Sequence, residues 1–550
     1  MTAIHLFLPY WQHKNAFDID FYIKGWAEYK QIMYDAEKLS NLVAEIIHPF
    51  DIIYLNDFLL QLNGNFSIII HTKDVTVLCV DKTRCFPIVY FQHNKGYYIT
   101  DNLDVFQRKH PDMKLKINEA IIIPYLCSNY VIGHYTKYAN VFSVQAGEIV
   151  KITNGQYIRQ QYFQWIPKMG NDGQLDLSVE SSVMESVYTK AIKRMIKSAP
   201  DVHNWIIPLS GGYDSRMIVN YLYKSNIKNV VCFSYGVKNN NQSMISEKVA
   251  KALGYKWYFI EHTSDIISEI QQSKEIEKYR KYAFNGTSTP NLQDFIAVFQ
   301  LKKMGVVQSG DIFIPGHSHD FITGSHLKSG MEYCSSTKES LPFILKHFYE
   351  LGYAKRNVEL YKHILSIVEQ YKINCNQIPE YFTWQERHAK LIVNSVKVYE
   401  YFGFEWRIPL WDNDLINYWI HIGFNWRNGR KMLLSIIKQS DILVDAIKTI
   451  PFANNMKAKK PLKTQIAKFV PWWLKKILRS LHYSKSAYFV PEGLHLLYSD
   501  HQETISDYKN CLLVPEIVKK YVEKYPKNMK FCYLPVNSVS TLMLLKDEDK

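Results

Sequence analysis

The stretch WIIPLSGGYDSRMIV, residues 205–219, decides the fold of the larger part of this chain. An apolar run ends at Leu209, and small residues then lead into a helical pattern that begins near Arg216. Phosphate can approach backbone N–H groups only where no Cβ intervenes, and a helix N-terminus behind such a loop adds a partial positive charge. The sequence therefore predicts a phosphate-binding loop. Its candidate binding residues are Leu209, Ser210, Gly211, Gly212, Asp214 and Ser215.

Asp214 adds a group that glycines cannot supply, a carboxylate able to hold the Mg²⁺ that accompanies ATP. An ordinary Ser/Gly turn at the start of a helix would explain the two glycines, but not the carboxylate and the second serine with them. The spacing also differs from that of a Walker A loop, which needs a Gly, four residues and then Gly-Lys-Ser/Thr. We therefore expect an ATP-binding loop of another kind.

Around this loop, apolar strands alternate with helical stretches up to about Val307. The alternation predicts parallel β-α-β units, and hence a sheet covered by helices on both faces. Beyond about Leu341 the sequence is predominantly helical. The predicted strands are Trp205–Leu209, Val230–Tyr235 and Trp257–Ile260, and the predicted helices are Arg216–Tyr223 and Ser246–Leu253.

The first 165 residues differ, because they consist of short β-rich segments broken by turn residues. Hairpins stacked into a sandwich are the expected architecture. A stretch containing Gly, Asn and Pro, Ile166–Gln174, is expected to link this part to the rest. The predicted domains are residues 1–165 and 178–550. The β-rich segments are Phe66–His71, Val75–Val80, Ile88–Phe91 and Tyr97–Thr100.

An amphipathic helix is predicted over Leu177–Ser198, directly after the linker. Cationic residues concentrate in its second half, where they complement the helix dipole. Its predicted apolar face consists of Val179, Val183, Val187, Ala191 and Met195.

The composition is that of a globular protein. Of the 550 residues, 47% are apolar, and 23 Gly with 20 Pro exclude a collagen-like or linker-dominated chain. The formal net charge of +14 favours polyanionic partners. Neither a secretory signal nor a membrane-spanning helix is predicted. Eight scattered cysteines without zinc spacing are expected as free thiols, so we expect a cytoplasmic protein.

The SGG-x-DS pattern of the loop resembles the pyrophosphatase loop of the adenylate-forming ATP pyrophosphatases. It is most similar to that of the asparagine synthetase family, because three further motifs follow in the family's order, and the resemblance covers nearly the whole chain. The first of them, CFSYG, implies that main-chain groups of Leu209 and Tyr235 lie along the nucleotide. The resemblance also implies an α/β fold, with a HUP-like parallel-sheet synthetase domain and a helical C-terminal part.

The second motif is IPGHSHDFITGSH, which keeps the spacing of the family's pyrophosphate and magnesium loop. The resemblance implies that Gly316 lies beside ATP and that Asp320 holds Mg²⁺ together with Asp214. Two glutamates of the family pattern are absent, and His317 and Phe321 stand in their places. Both histidines between Gly316 and Asp320 are expected to be solvated rather than metal ligands.

The third motif is EWRIPLWD, in which Glu405, Arg407 and Asp412 reproduce the family's E-x-R-x-P-x-x-D stretch near the acceptor side. The resemblance implies a catalytic role for Glu405. Arg407 and Asp412 either belong to that site or form a buried structural pair. The family's catalytic lysine, which stabilises the leaving pyrophosphate, is matched best by Lys448. The alternatives are Lys457, Lys459 and Lys460.

Leu62–Asp101 resembles the second half of the family's class II glutaminase domain, an Ntn-type αββα sandwich. The first half does not match, and Thr2 stands where the family exposes a nucleophilic cysteine. An N-terminal threonine can act as a nucleophile through its own α-amine. A retained scaffold without glutaminase activity is nevertheless expected, as in the related β-lactam synthetases and lasso peptide cyclases.

The activity implied by the resemblance is that of an AMP-forming amide synthetase that uses ATP and Mg²⁺. A carboxylate of a small molecule, peptide or glycan is adenylated, and ammonia or another amine then displaces AMP. The alternatives are an intramolecular lactam synthetase and a nucleotide-binding protein without turnover. Similar loops occur in tRNA-modifying enzymes, but no nucleic acid partner is expected here. A homo-oligomer is left open.

Residues 457–485 concentrate lysines around Trp472 and Trp473. A basic amphipathic helix of this kind suits either a membrane interface or a flap packed against the core. The flap is favoured, because the segment directly follows the candidate catalytic lysines. Peripheral membrane contact is the alternative.

Overall fold

The computed structural model describes residues 2–47, 52–153, 155–236, 238–292, 294–348 and 358–453. Residues 457–485, which include the three alternative lysines, lie outside the described residues. Within the described part, no helix combines the length and the apolar character that crossing a membrane requires. The chain is an α/β protein built from an amino-terminal pair of β-sheets and a following parallel sheet with many helices.

The amino-terminal part contains both strands and helices. Its strands are β1 (Thr2–His5), β2 (Gln12–Ala16), β3 (Ile19–Tyr29), β4 (Ile32–Tyr34), β5 (Asn63–His71), β6 (Val75–Val80), β7 (Val89–His93), β8 (Gly96–Thr100), β9 (Val141–Ser143), β10 (Glu148–Thr153) and β11 (Gln156–Gln161). Its helices are α1 (Ala36–Ile46), α2 (Ile52–Gln61), α3 (Leu103–Lys109) and α4 (Glu119–Ser128). Strands β5 to β8 confirm the four predicted β-rich segments.

These elements form four layers. One sheet has the order β1-β8-β7-β9, and the other has the order β11-β10-β6-β5-β3-β2 with β4 added beside β3. A buried cluster that includes Ile69, Tyr90 and Val150 fills the space between the two sheets. Helices α1 and α2 pack on the outside of the larger sheet, and α3 packs on the outside of the smaller one. The predicted αββα sandwich is thereby confirmed.

The second part is organised around a parallel sheet. Its strands are β12 (Trp205–Pro208), β13 (Val230–Gly236), β14 (Lys256–Glu261), β15 (Ile312–Phe313) and β16 (Glu405–Trp406). Neighbouring strands are parallel throughout, in the order β14-β13-β12-β15-β16. The order reverses direction at β12, so the crevice at its carboxyl end is where a ligand is expected. The predicted parallel β-α-β architecture is confirmed.

Helices make up most of the rest of this part, as predicted. They are α5 (Leu177–Lys197), α6 (Asp214–Lys224), α7 (Asn241–Ala252), α8 (Ser264–Gln272), α9 (Glu275–Phe284), α10 (Phe295–Lys303), α11 (His319–Ile322), α12 (Thr337–Phe348), α13 (Val358–Val368), α14 (Ile378–Phe382), α15 (Lys397–Tyr401), α16 (Asn413–His421), α17 (Phe424–Arg427), α18 (Lys431–Gln439) and α19 (Asp445–Lys448). A π-helix covers Thr383–Ile392, and 3₁₀ turns cover Met331–Tyr333, Cys375–Gln377, Val393–Val396, Pro409–Trp411 and Asn428–Arg430.

Helix α5 lies where it was predicted, but the predicted apolar face was partly wrong. Val179 and Val183 are 55% and 40% exposed. The buried side is rotated, because the helix packs against several neighbours at once, among them α6, α16 and α18. Its buried residues are Met184, Tyr188, Ala191, Ile192 and Met195.

The predicted linker packs against the helical part instead of running free. Trp165 just before it is fully buried, the amide of Lys168 donates to Ile420 O at 2.9 Å, and Gly170 O accepts from the amide of Phe424 at 3.0 Å. These contacts fix the direction in which the chain leaves the sandwich.

Arg194 of α5 joins the two parts. Its guanidinium pairs with Glu28 at 2.7 Å, with Asp412 at 2.5 Å and with Asp414 at 2.9 Å. Asp412 also caps α16 by accepting from the amide of Asp414 at 2.9 Å. The alternative of an Arg407–Asp412 pair is therefore wrong. The buried partner of Asp412 is an arginine 218 positions earlier, which local pattern cannot reveal.

The cysteines whose side chains are described are free thiols, as expected. Burial raises the pKa of Cys79 and of Cys232, so these thiols stay protonated and unreactive. The free cysteines are Cys79, Cys85, Cys232, Cys334 and Cys375, of which the last is half-buried.

Candidate functional site

The predicted loop lies at the carboxyl end of β12, between that strand and α6. The loop that follows β15 lies against it, since a Cβ added at Gly316 would stand 3.0 Å from Ser215 N and 3.3 Å from Asp214 Cβ. A Cβ this close would be tighter than most side-chain contacts, so glycine suits the approach. The structure thus brings Gly316 and the SGG-x-DS loop together at adjacent strand ends, where parallel sheets place their ligands.

The backbone N–H groups of the loop are engaged within the protein. The Ser210 amide donates to Ser215 Oγ at 3.0 Å, and the Gly212 amide donates to Ser210 Oγ at 3.2 Å. The Gly211 amide donates to Gln242 Oε1 at 2.7 Å. A phosphate bound here would have to replace these partners. Gln242 lies in the first turn of α7 and was missed by sequence reasoning, because only its position in space relates it to the loop.

A short segment near the end of the described chain closes over the loop. The amide of Ala453 donates to Gly211 O at 2.9 Å. Phe452 stacks on Tyr213 with a centroid distance of 4.0 Å. Arg216 of α6 donates to Ile450 O at 2.6 Å and stacks on Phe452. Sequence analysis gave no indication of this segment, which contacts the loop across more than 200 positions.

Asp214 is held by two basic side chains. His319 Nδ1 donates to Asp214 Oδ1 at 2.6 Å, and Arg430 donates to the same oxygen. On the other side of the imidazole, Tyr188 Oη donates to His319 Nε2. These contacts place the proton of a neutral His319 on Nδ1. Tyr188, His319, Asp214 and Arg430 form one chain of hydrogen bonds, which we call the Asp214 cluster.

The expected solvation of the two loop histidines was wrong. His319 is fully buried, and His317 is half-buried with Ser395 Oγ 3.0 Å from its Nε2. Burial lowers the pKa of both imidazoles, so both are neutral at pH 7. The sequence did not reveal that the loop folds inward. There His319 meets Tyr188 of α5, and His317 meets Ser395 of the 3₁₀ turn Val393–Val396.

Two residues of the site have left-handed backbone geometry without being glycine. Ser318, next to His319, has a φ of 78°, and Arg430 has a φ of 63°. Such geometry costs on the order of 1–3 kcal/mol per residue and clusters at functional sites. Ser318 directly precedes His319, and the side chains of both His319 and Arg430 contact Asp214.

The charge of Asp214 is favoured by this cluster. Burial alone would raise the pKa of Asp214, but Arg430 and His319 outweigh burial and lower it to about 2. Because the carboxylate is the stabilised form, the Asp214 cluster stabilises the folded chain at neutral pH and loses that effect in acid.

We predict a pH-dependent stability difference between the wild type and Asp214→Asn. The wild-type carboxylate contributes about 2 kcal/mol above about pH 5, and roughly half of this remains at about pH 3. Urea unfolding at a series of pH values measures the difference. A difference that stays constant down to pH 3 would contradict the assignment of the ion pair.

The side chains at this site offer few oxygen ligands for Mg²⁺. One oxygen of Asp214 already receives hydrogen bonds from Arg430 and His319, and Asp320 has no recorded contact with Asp214. Among the described residues, no group of three or more His, Cys, Asp or Glu side chains could hold a metal ion. In this arrangement the residues do not fit a resident Mg²⁺. A shared metal-binding role of Asp214 and Asp320 stays a prediction.

Two buried arginine atoms fit an anion better. Nε of Arg216 and Nε of Arg430 are both buried without a hydrogen-bond partner among the described residues. A buried donor left unpaired costs about 1–3 kcal/mol. Both guanidinium groups flank the SGG-x-DS loop, so an anionic group bound there would find positive charge and free donors. The sequence motif contained Arg216 but gave no role to either arginine.

Leu209 and Tyr235 lie near the carboxyl ends of two neighbouring strands, β12 and β13. The amide of Leu209 donates to Phe233 O at 2.9 Å, and its carbonyl accepts from Ser234 Oγ at 2.6 Å. Tyr235 donates its hydroxyl to Asp294 at 2.5 Å. The main-chain groups of Leu209 are thus already used by the protein, and the contact of either residue with a nucleotide stays a prediction.

Glu405 and Lys448 are not brought to the Asp214 cluster. Glu405 pairs with Ile312 in the sheet register, toward the amino-terminal end, where its exposed carboxylate meets Arg407 at 3.1 Å. Lys448 forms an ion pair with the exposed Asp441, which raises the pKa of the lysine. Their predicted catalytic roles stay predictions without support from a contact at the site.

Phe321, which replaces a glutamate of the family pattern, is a buried ring. It stacks between His326, at a centroid distance of 4.7 Å, and His388, at 5.0 Å. Behind these rings lies the fully buried ion pair of Glu380 and Arg427, at 2.7 Å. The loop from Gly316 onward is therefore supported by aromatic packing and a buried charge pair.

Thr2 begins β1 and is half-buried, as expected for a residue at a strand start. Its hydroxyl accepts from Thr76 Oγ1 at 3.4 Å. The absence of a nucleophilic role for Thr2 stays a prediction.

No protein-family model matches this sequence, and no curated protein matches it either. Among solved structures, an NH3-dependent NAD synthetase from Campylobacter jejuni is similar, with 15% identity over 27% of this chain and a TM-score of 0.19. The match spans 61% of the length of that synthetase. At this level the likeness identifies neither a family nor an activity.

Two further structures are similar at the same level. An NMN synthetase from Francisella tularensis matches with 12% identity over 40% of this chain and 97% of its own, with a TM-score of 0.22. A glutamine phosphoribosylpyrophosphate amidotransferase from B. subtilis matches with 11% identity over 68% of this chain and 78% of its own, with a TM-score of 0.19. The fold given above rests on strand order and layers.

Proposed function

We propose that this chain is an ATP-dependent, AMP-forming amide synthetase of the asparagine synthetase type. The observation that carries the proposal is the meeting of the SGG-x-DS loop, Gly316 and Arg430 at the carboxyl end of β12. ATP would bind with its phosphates at this loop. A carboxylate substrate would attack the α-phosphorus, and an amine would then displace AMP from the acyl-adenylate.

The hydrogen-bond donors of the site suit this chemistry, because adenylation releases pyrophosphate. Negative charge concentrates on that group in the transition state. The amides of Gly211 and Gly212 would exchange their internal partners for phosphate oxygens. Arg430 donates to Asp214 through Nη2, and its unpartnered Nε would donate to the same phosphate oxygens. Donors aimed at developing charge stabilise it in a site that excludes water. Asp214 and His319 act as positioning residues that hold the guanidinium.

The direct test is formation of AMP and pyrophosphate from ATP. We expect both products with a carboxylate and an amine donor, tried as aspartate with ammonia, aspartate with glutamine, and a native metabolite extract. The controls are omission of the carboxylate and the site variant Arg430→Met. Formation of ADP and phosphate instead, or equal product in the variant, would overturn the proposal. Product only with extract would indicate a specialised amide or lactam synthetase.

A nucleotide-binding protein without turnover is the second candidate. The specific observation in its favour is that Gly211 uses both its N–H, toward Gln242, and its C=O, toward Ala453. Asp214, the expected metal ligand, is likewise engaged by Arg430. ATP binding in calorimetry together with no AMP under any of the conditions above would favour this candidate.

A further inference from the structure

A cavity of about 490 Å³ lies between the sandwich and the amino-terminal end of the parallel sheet. It is separate from the Asp214 cluster, which lies at the carboxyl end of the same sheet. Its walls come from both parts of the chain. Lining residues that matter below are Lys24, Trp26, Phe86, Tyr282, Glu400 and Trp406.

Lys24 is the unusual group in this cavity. It stands in the middle of β3 and is only 4% exposed. Its ammonium forms no hydrogen bond or ion pair with any described residue and lies 5.1 Å from the centroid of Phe86. Lysines are almost never buried without a partner, because removing the charge from water costs free energy. A ligand that supplies the missing acceptor would remove this cost.

Glu400, the carboxylate with the largest electrostatic effect on Lys24, already has hydrogen-bond partners of its own. Glu400 accepts from Lys397 at 2.7 Å, from Trp406 Nε1 at 3.0 Å and from Tyr282 Oη at 3.2 Å. Asp101, the other acid that influences Lys24, accepts from two amides and from an indole. Burial lowers the pKa of Lys24, which is consistent with an amine that lacks its own counter-ion.

The other lining residues restrict the chemical class of the ligand. Trp26, Phe86 and Trp406 present aromatic surface, with the rings of Phe86 and Trp406 5.4 Å apart. The cavity also has an acidic side, offset in part by Arg407, which pairs with Glu405 at 3.1 Å, and this side would repel an anion of high charge such as phosphate. The acidic lining residues outside the Glu400 network are Asp35, Glu37, Asp201 and Glu405.

We propose that this cavity binds a small monocarboxylate with an apolar or aromatic body, its carboxylate on the ammonium of Lys24 and its body against Trp26, Phe86 and Trp406. One unpaired cation matches one carboxylate, and the aromatic walls match an apolar body. This second site does not depend on the proposed function, because it involves neither ATP nor any residue of the Asp214 cluster.

Calorimetric titration of the full chain with matched probes tests the proposal. Phenylpropionate and hexanoate are expected to bind, and phenylethylamine, which has the same body and an amine in place of the carboxylate, is not. Lys24→Met is expected to weaken carboxylate binding at least about tenfold, the lower limit for losing a charge-assisted hydrogen bond. Lys38→Met, which removes an exposed lysine of α1, is the control of equal charge and should bind as the wild type does.

Three results would contradict this binding site. No binding of either carboxylate by the wild type at millimolar concentration, preferential binding of the amine, or equal loss in both lysine variants would overturn the proposal. Arg430→Met should leave this binding unchanged, so failure here and failure of the ATP site are distinguishable.

A measurement on the wild type covers the case in which Lys24→Met does not fold. Reductive methylation of the native chain, read by mass spectrometry at Lys24, is expected to be slowed severalfold by phenylpropionate and unchanged by 2-phenylethanol, which has the same body and a hydroxyl that does not react with the reagent. Methylation at Lys38 should be the same with both probes. An unprotected Lys24 would refute the site.

Discussion

Arg430→Met is expected to weaken the binding of ATP and of inorganic pyrophosphate by about 10- to 100-fold. Methionine keeps an unbranched apolar stem and removes the guanidinium that faces Asp214. The lost donors are those that phosphate oxygens would use, since Nε of Arg430 has no partner among the described residues. Calorimetry with each ligand, with and without Mg²⁺, measures the change.

The neighbouring Lys431 offers a matched control, because it carries the same charge and begins α18 directly after Arg430. Its ammonium lies 4.2 Å from the centroid of Trp426 and not on Asp214. Lys431→Met should therefore leave binding nearly unchanged. Arg430→Lys should fall between the wild type and Arg430→Met, because it keeps the charge but loses the forked donors. Equal losses in the two methionine variants would mean that only net charge matters.

The strand, loop and helix around Asp214 could be predicted because their signals are local. A buried strand shows as an apolar run, and the turn into α6 shows as small residues followed by a helical period. The position of Gly316 at the site was implied by the family resemblance alone, since the strand before it was not among the predicted strands. The strand order places β15 beside β12 and so brings the two loops together.

The partners of Asp214 could not be predicted, because they come from distant parts of the chain. His319 and Arg430 lie 105 and 216 positions away from it. The spacing of residues 317–320 does not distinguish a solvated histidine from a buried one. The same holds for Ala453, whose contact with Gly211 is set by how the last helices pack.

The buried lysine of β3 shows a different limit of sequence reasoning. The first sixty residues carry no motif, so β2, β3 and α1 were not predicted. A lysine between apolar neighbours in a strand is expected to point to solvent. Lys24 instead faces the helical part, because the sandwich is covered there by Glu400 and Trp406. Only the packing of the two parts makes its burial visible.

Arg427→Met is expected to lower the free energy of unfolding by about 3–5 kcal/mol, the cost of leaving a buried charge without its partner. Arg427 is fully buried, pairs with the equally buried Glu380 at 2.7 Å, and donates to Ile422 O at 2.8 Å. Methionine fills a similar volume but leaves the Glu380 carboxylate with weaker partners, among them the indole of Trp165 at 3.2 Å. The urea midpoint of purified protein measures the loss.

A double-mutant cycle assigns this loss to the charge rather than to packing. Glu380→Gln keeps an acceptor for Trp165 and removes the charge, so adding it to Arg427→Met should restore part of the lost stability. Because the pair lies behind Phe321 and the loop that begins at Gly316, the single variant should also weaken ATP binding, and the double variant should recover it in parallel. Recovery of stability without recovery of binding would mean that the ion pair supports the fold but does not position this loop.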